Sequence, residues 1–160
     1  MDIFEFAMKM EKDGENYYRE LATKTVNRGL GSIFTMLANA EVIHYKVFQR
    51  MKEHEKIEAA PAAILSGVKN IFEKMKEEND TNVNMAETEW YKKAQEIEKA
   101  SRDFYLKEAG EVEGADQKET FLRIAEEEKR HYLILEKIID FVSRPQTWLE
   151  NAEWYHLEEY

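Results

Sequence analysis

LANAEVIHYKVF (residues 37–48) and FLRIAEEEKRHYLILEKI (residues 121–138) are the stretches that decide the fold. Each sets a Glu-x-x-His pair, Glu41 with His44 and Glu128 with His131, into an apolar stripe of helical period. The two pairs stand 87 positions apart, and other residues keep that offset. Glu11 returns as Glu98, Tyr18 as Tyr105, Phe34 as Phe121, Ala38 as Ala125 and Tyr45 as Tyr132. A Glu followed by Glu-x-x-His, repeated in register, reads as two copies of one helical hairpin. Each copy then supplies half of a metal site. Four carboxylates and two imidazoles are what a pair of divalent metals takes inside a four-helix bundle.

Position within the stripe carries this reading, because the chain is rich in Glu. His156 follows Glu153 at the same spacing and reads as exposed surface. Glu41 and His44 instead fall in a run with Phe34, Leu37, Ala38, Tyr45, Phe48 and Met51, all read as inward. Glu128 and His131 fall in the matching inward run with Phe121, Ile124, Ala125, Tyr132, Leu135 and Ile138. Glu11 lies between Ala7 and Gly14, and Glu98 between Ala94 and Ser101. All six occupy places where an amphipathic helix calls for apolar side chains. A buried, unpaired carboxylate costs several kcal/mol, so four in one core need compensation. Two divalent cations balance four carboxylates; a partly wet core with some acids protonated is the alternative.

Oxygen and imidazole donors without sulfur suit iron or manganese, and zinc could also occupy such a site. Glu41 and Glu128 form the natural bridging pair. Glu11 and Glu98 are then terminal ligands, with His44 and His131 binding one metal each. Tyr18 and Tyr105 follow Glu11 and Glu98 by seven residues, about 10.5 Å along a helix. Helical side chains lean toward the N-terminus. Each phenol is therefore expected to reach back and hydrogen-bond a ligand carboxylate; the alternative is a pair of core tyrosines with satisfied hydroxyls. Gly14 and Ser101, also related by the repeat, leave room for a water or a diatomic oxidant, or else allow close helix packing.

At 160 residues, with two prolines and six glycines, the chain suits one domain of long helices. The expected hairpins span about 2–57 and 84–142. A crossover over about 58–83 joins them, and a tail over 143–160 follows. Asp2 caps a first helix reaching about Val26. Asn27 to Gly31 reads as a turn, and the second helix as running from about Ser32 to Lys56. Pro61 breaks the pattern. Ile64, Leu65, Val68, Ile71, Phe72 and Met75 then mark a short helix inside the crossover. A third helix spans about Asn84 to Ala109, and a fourth runs from the Gly110–Asp116 loop to about Val142, where Pro145 stops it. The tail holds one more short helix through Trp148, Ala152 and Tyr155. Its aromatic residues could cap the bundle or join a subunit interface. A long crossover leaves helices two and three parallel, which is the all-α, ferritin-like arrangement.

The net charge of −10 argues against a nucleic-acid surface. With no cysteine there is no disulfide framework and no thiolate cluster. No stretch approaches the roughly 18 apolar residues of a membrane span. MDIFEFAMKM does not have the layout of a signal peptide. The cytoplasm is the expected compartment.

Four segments, MEKDGENYYRELA (10–22), LANAEVIHYKVF, IEKASRDFYLKEA (97–109) and FLRIAEEEKRHYLILEKI, carry a resemblance to the rubrerythrins of the ferritin-like superfamily. The resemblance implies a non-haem di-iron centre that reduces hydrogen peroxide or reacts with dioxygen, and a homodimer. It assigns the bridging carboxylates to hold the metals and the tyrosines to orient the oxidant. Two features depart from the pattern. Typical rubrerythrins carry a rubredoxin-like domain with four cysteines; this chain has none, so a separate rubredoxin or reductase would donate electrons. Peroxidase members have an additional Glu one turn beyond the third-helix Glu, where this chain offers Ser101, Arg102 and Asp103. Two further readings stay open: Fe(II) oxidation and iron handling as in bacterioferritins, and a structural or sensory metal bundle without turnover.

Overall fold

The computed structural model describes residues 2–55, 63–152 and 154. Its helices are α1 (Ile3–Lys24), α2 (Arg28–Lys52), α3 (Leu65–Glu77), α4 (Thr88–Ala109), α5 (Ala115–Ser143) and α6 (Pro145–Glu150). One 3₁₀ turn, Met85–Glu87, leads into α4. The result is an all-α ferritin-like bundle. α1 packs along α2, and α4 along α5. The short connections make each pair antiparallel. Tyr18 meets Glu98 and Tyr105 meets Glu11, so α1 and α4 also run antiparallel. That leaves α2 and α4 parallel, as a long crossover requires.

Asp2 caps α1 by accepting the Glu5 N–H at 2.8 Å. The second helix begins at Arg28, four residues before the expected Ser32, because Asn27 caps it. Asn27 Oδ1 accepts the Leu30 N–H at 2.9 Å. Gly29 and Gly31 are therefore helical rather than turn residues. Their use is close packing: a Cβ on Gly29 would lie 2.5 Å from Met75 Sδ, and one on Gly31 3.2 Å from the Ala22 carbonyl. α1 ends at Lys24 and α2 at Lys52, each short of its expected end. Pro61, expected to break the pattern, lies outside the described residues.

Asn27 also ties the hairpin turn to the end of the crossover. Its amide donates to Asp80 Oδ1 at 3.2 Å and to the Asn82 carbonyl at 3.0 Å. Nearby, buried Glu87 accepts the Val26 N–H at 2.9 Å. These bonds set the level at which α4 enters the bundle relative to α1. At the other end, Pro145 does not itself terminate α5, which closes at Ser143; it opens α6 at a position where its missing N–H costs nothing. α6 stops at Glu150, before Ala152, and Tyr155 lies outside the described residues. Trp148 is buried, with its ring 4.7 Å from Phe72 of α3, and Trp154 sits 5.7 Å from both. The tail residues thus cover one end of the bundle together with the crossover helix.

Candidate metal centre

A polar level interrupts the core on all four long helices. One apolar cluster holds Tyr18, Phe34, Leu37, Tyr91, Leu135 and Ile138. The other holds Ala7, Phe48, Met51, Tyr105, Phe121 and Ala125. Between them lie Glu11 on α1, Glu41 and His44 on α2, Glu98 on α4, and Glu128 and His131 on α5. Each of the six is at most 3 % exposed. All six sequence-derived candidates are therefore interior. Tyr45 and Tyr132, read as inward from the same stripe, are only half-buried.

The six side chains converge in two overlapping groups. Glu11, Glu41, His44 and Glu128 bring one donor atom each to within 4.8 Å of one another, and so do Glu41, Glu98, Glu128 and His131. Glu41 and Glu128 belong to both. Both rings turn Nδ1 inward: His44 Nδ1 is 2.9 Å from Glu128 Oε1 and 3.4 Å from Glu11 Oε2. His131 Nδ1 is 3.5 Å from Glu41 Oε1 and from Glu98 Oε1. The rings stack at 5.9 Å.

Seven buried side-chain polar atoms make no hydrogen bond of acceptable geometry among the described residues, the close His44 Nδ1–Glu128 Oε1 pair included. Six of them are Glu11 Oε2, Glu41 Oε1, His44 Nδ1, Glu98 Oε2, Glu128 Oε1 and His131 Nδ1. Each candidate ligand thus contributes one orphaned donor atom, whereas buried polar atoms are otherwise almost always satisfied. The seventh is Arg130 Nε. Oxygen and imidazole donors in this number fit two divalent cations.

The tyrosines cross between the hairpins. Tyr105 donates to Glu11 Oε1 at 2.6 Å, and Tyr18 donates to Glu98 Oε1. Each phenol takes Oε1 of a carboxylate, and Oε2 of the same carboxylate is left without a hydrogen bond. Burial, then the adjacent carboxylates, push both phenols well above the usual tyrosine range, so they keep their protons. Burial, followed by neighbouring carboxylates, also lifts Glu41 and Glu128. Burial opposes the charge on Glu98, but hydrogen bonding from Glu128 and the His131 ring outweigh it and hold the carboxyl down at about 2. Burial pulls His44 down, yet Glu11 with Glu127 and Glu41 raises it well above its ordinary range.

Gly14 gives Glu41 its space: a Cβ there would lie 3.1 Å from Glu41 Oε2. Its repeat partner Ser101 is buried as well. The sequence reading missed Glu127, which is buried and lies 2.5 Å from His44 Nε2 through Oε2. The run Glu126-Glu127-Glu128 conceals it. The available signal was the repeat itself, which places Ala40 opposite Glu127 and so marks the acid as an addition to one half.

A four-helix bundle with a mirrored Glu and Glu-x-x-His set at its centre defines the class of ferritin-like carboxylate proteins. Within that class, the rubrerythrin family model matches residues 2–139, and the chain belongs to the rubrerythrin family. No curated protein and no solved structure matches the chain. Among the described residues, no helix is long and apolar enough to cross a membrane.

Proposed function

We propose that the chain is a non-haem di-iron protein that reduces hydrogen peroxide or dioxygen. The observation that carries this reading is the set of six orphaned donor atoms, one on each of Glu11, Glu41, His44, Glu98, Glu128 and His131. Family membership points the same way. Glu41 and Glu128, common to both groups, would be shared between the two ions. Glu11 with His44 and Glu98 with His131 complete the two positions. These residues would hold a pair of iron ions, which would supply the two electrons that, with two protons, reduce hydrogen peroxide to two waters; manganese or zinc would fit the same donors.

The protein's own part is to hold those donors still and dry. Tyr18 and Tyr105 fix the rotation of Glu98 and Glu11 and keep their phenolic protons at the edge of the site. The two apolar clusters exclude water along the bundle axis. With no cysteine in the chain, electrons come from an external donor such as a separate rubredoxin. A homodimer in the cytoplasm completes the proposal.

The test is to load metal-free protein anaerobically with Fe(II), measure iron per chain and mix with peroxide in a single turnover. Two irons per chain, oxidised faster than free Fe(II), are expected. Oxidation no faster than free iron would leave only a structural or sensory metal role. A second reading, Fe(II) oxidation for storage, draws support from the symmetry of the six-residue set, with Ser101 where peroxidase members carry another Glu. Particle size separates the two: a dimer favours the reductase, a 24-subunit shell favours storage.

A further inference from the structure

The repeat that builds the centre is broken at two places beside it. The first is behind the histidines. His44 Nε2 meets Glu127 Oε2 at 2.5 Å, and Glu127 is buried. The position that the repeat relates to Glu127 is Ala40, also buried, whose methyl neither donates nor accepts. The second break is at the surface. A cavity of about 310 Å³ opens between α4 and α5, lined by Glu98, Glu128, Tyr132, Lys99, Arg102 and Lys129 among others. On the first hairpin, Glu15 stands where α4 has Arg102, and Val42 where α5 has Lys129. Glu15 is paired with Lys12 and Arg19 at 3.0 Å.

From these differences we infer that the two metal positions are functionally unequal. The position of Glu11, Glu41, His44 and Glu128 is the tight one, with Glu127 as the positioning residue of His44. The position that adds Glu98 and His131 is the weaker, open one, where a small inorganic anion or carboxylate enters from the α4–α5 cavity. The inference rests on the di-metal reading above and adds an order of filling and a side of approach.

The physical argument has two parts. A ring that ligates through Nδ1 carries its proton on Nε2, and Glu127 accepts that proton's hydrogen bond. The bond holds the ring plane and makes the imidazole a stronger donor; losing such a partner typically costs about 10–100-fold in metal affinity. His131 gains no such help from Ala40. The cations lining the cavity raise the local concentration of anions and lower that of free divalent cations. Both effects act in the same direction on the Glu98–His131 half.

The test is a Co(II) titration of the metal-free protein, followed by azide as the anion probe, read by visible absorption. Two resolved binding steps are expected, with azide changing only the spectrum of the second ion. Glu127→Gln should weaken the first step by about 10–100-fold and leave the second in place. A purely structural Glu127 would lower thermal stability without splitting the two steps in this way. Arg102→Glu, at a partly exposed position, should weaken azide binding several-fold. If Glu127→Gln does not fold, the wild-type titration with azide still decides. Two indistinguishable steps, equal weakening of both in Glu127→Gln, or azide acting on the first ion or on neither would overturn the inference while leaving the di-metal reading intact. Failure to bind Co(II) at all would overturn both.

Discussion

Tyr105 on α4 donates a 2.6 Å hydrogen bond to Glu11 on α1, so a phenol from one hairpin orients a carboxylate of the other. Tyr18 and Glu98 repeat the relation in the opposite sense. The hairpins are thereby coupled at the polar level itself, where apolar packing is interrupted.

Tyr105→Phe leaves Glu11 Oε1 buried without its donor. An unsatisfied buried acceptor costs about 1–3 kcal/mol. Urea unfolding of the variant should show a loss of that size, and Tyr18→Phe should show a comparable one. Metal affinity should fall with it, because the freed carboxylate can rotate away from the site. Unchanged unfolding and unchanged metal binding in both variants would mean that the phenols do not hold these carboxylates.

Glu41 and Glu128 lie in both donor groups, whereas Glu11 lies in one. Glu41→Ala and Glu128→Ala should each strongly lower occupancy of both metal positions. Glu11→Ala should mainly affect the position shared with His44. Elemental analysis of dialysed protein reads the difference. Two metals per chain in the Glu41 and Glu128 variants would defeat the bridging assignment.

The metal-free protein should lose stability as pH rises. Glu41 and Glu128 are lifted well above 4.5, so in the folded state they bind protons more tightly than when unfolded. Their contribution is present below 4.5 and declines as pH climbs toward their folded values. His44, lifted above 6.5, contributes fully below that value and loses its contribution above it. Glu98, held at about 2, opposes this trend only in acid: its contribution disappears as pH falls from 4.5 through that value. Divalent metal should reverse the slope, since ligation displaces protons and strengthens with pH. Melting midpoints measured with and without Zn(II), from mildly acid to mildly alkaline, check the crossing. A metal-free midpoint that rises over that range would contradict the argument.

Gly14→Ala should separate stability from metal binding. Replacing a helical Gly adds roughly 1 kcal/mol of helix propensity. The three atoms nearest the new Cβ all belong to the end of the Glu41 side chain, with Oε2 at 3.1 Å. That end can shift by a few tenths of an ångström, so the metal-free protein should melt higher. The shared carboxylate is then displaced, and affinity for the metal pair should drop. Stronger metal binding in this variant would mean that Gly14 serves helix packing alone.

Much of the fold was legible because one spacing carried two kinds of information. Phe34, Leu37 and Ala38 before Glu41, and Phe48 after it, place the acid on the inward face, and the repeat then finds its partner at Glu128. Helix ends were less legible. Gly29 and Gly31 resemble a turn in sequence, but Asn27 caps the helix ahead of them and their missing side chains admit Met75 and the Ala22 carbonyl. Tyr45 and Tyr132 follow the stripe yet end half-buried, because an apolar stripe does not define its own edges. Glu127 was invisible because its role depends on a helix 83 residues away.

By itself, the sequence determined that there are two hairpins, which face of each helix is buried and which six side chains share a level, because helical periodicity is local and the repeat supplies the register. Which hairpin each tyrosine serves, which imidazole acquires a carboxylate behind it and which side of the centre opens to a cavity were decided only in the tertiary structure. Those outcomes depend on distances between helices, and one chain's residue order does not contain them until the helices cross.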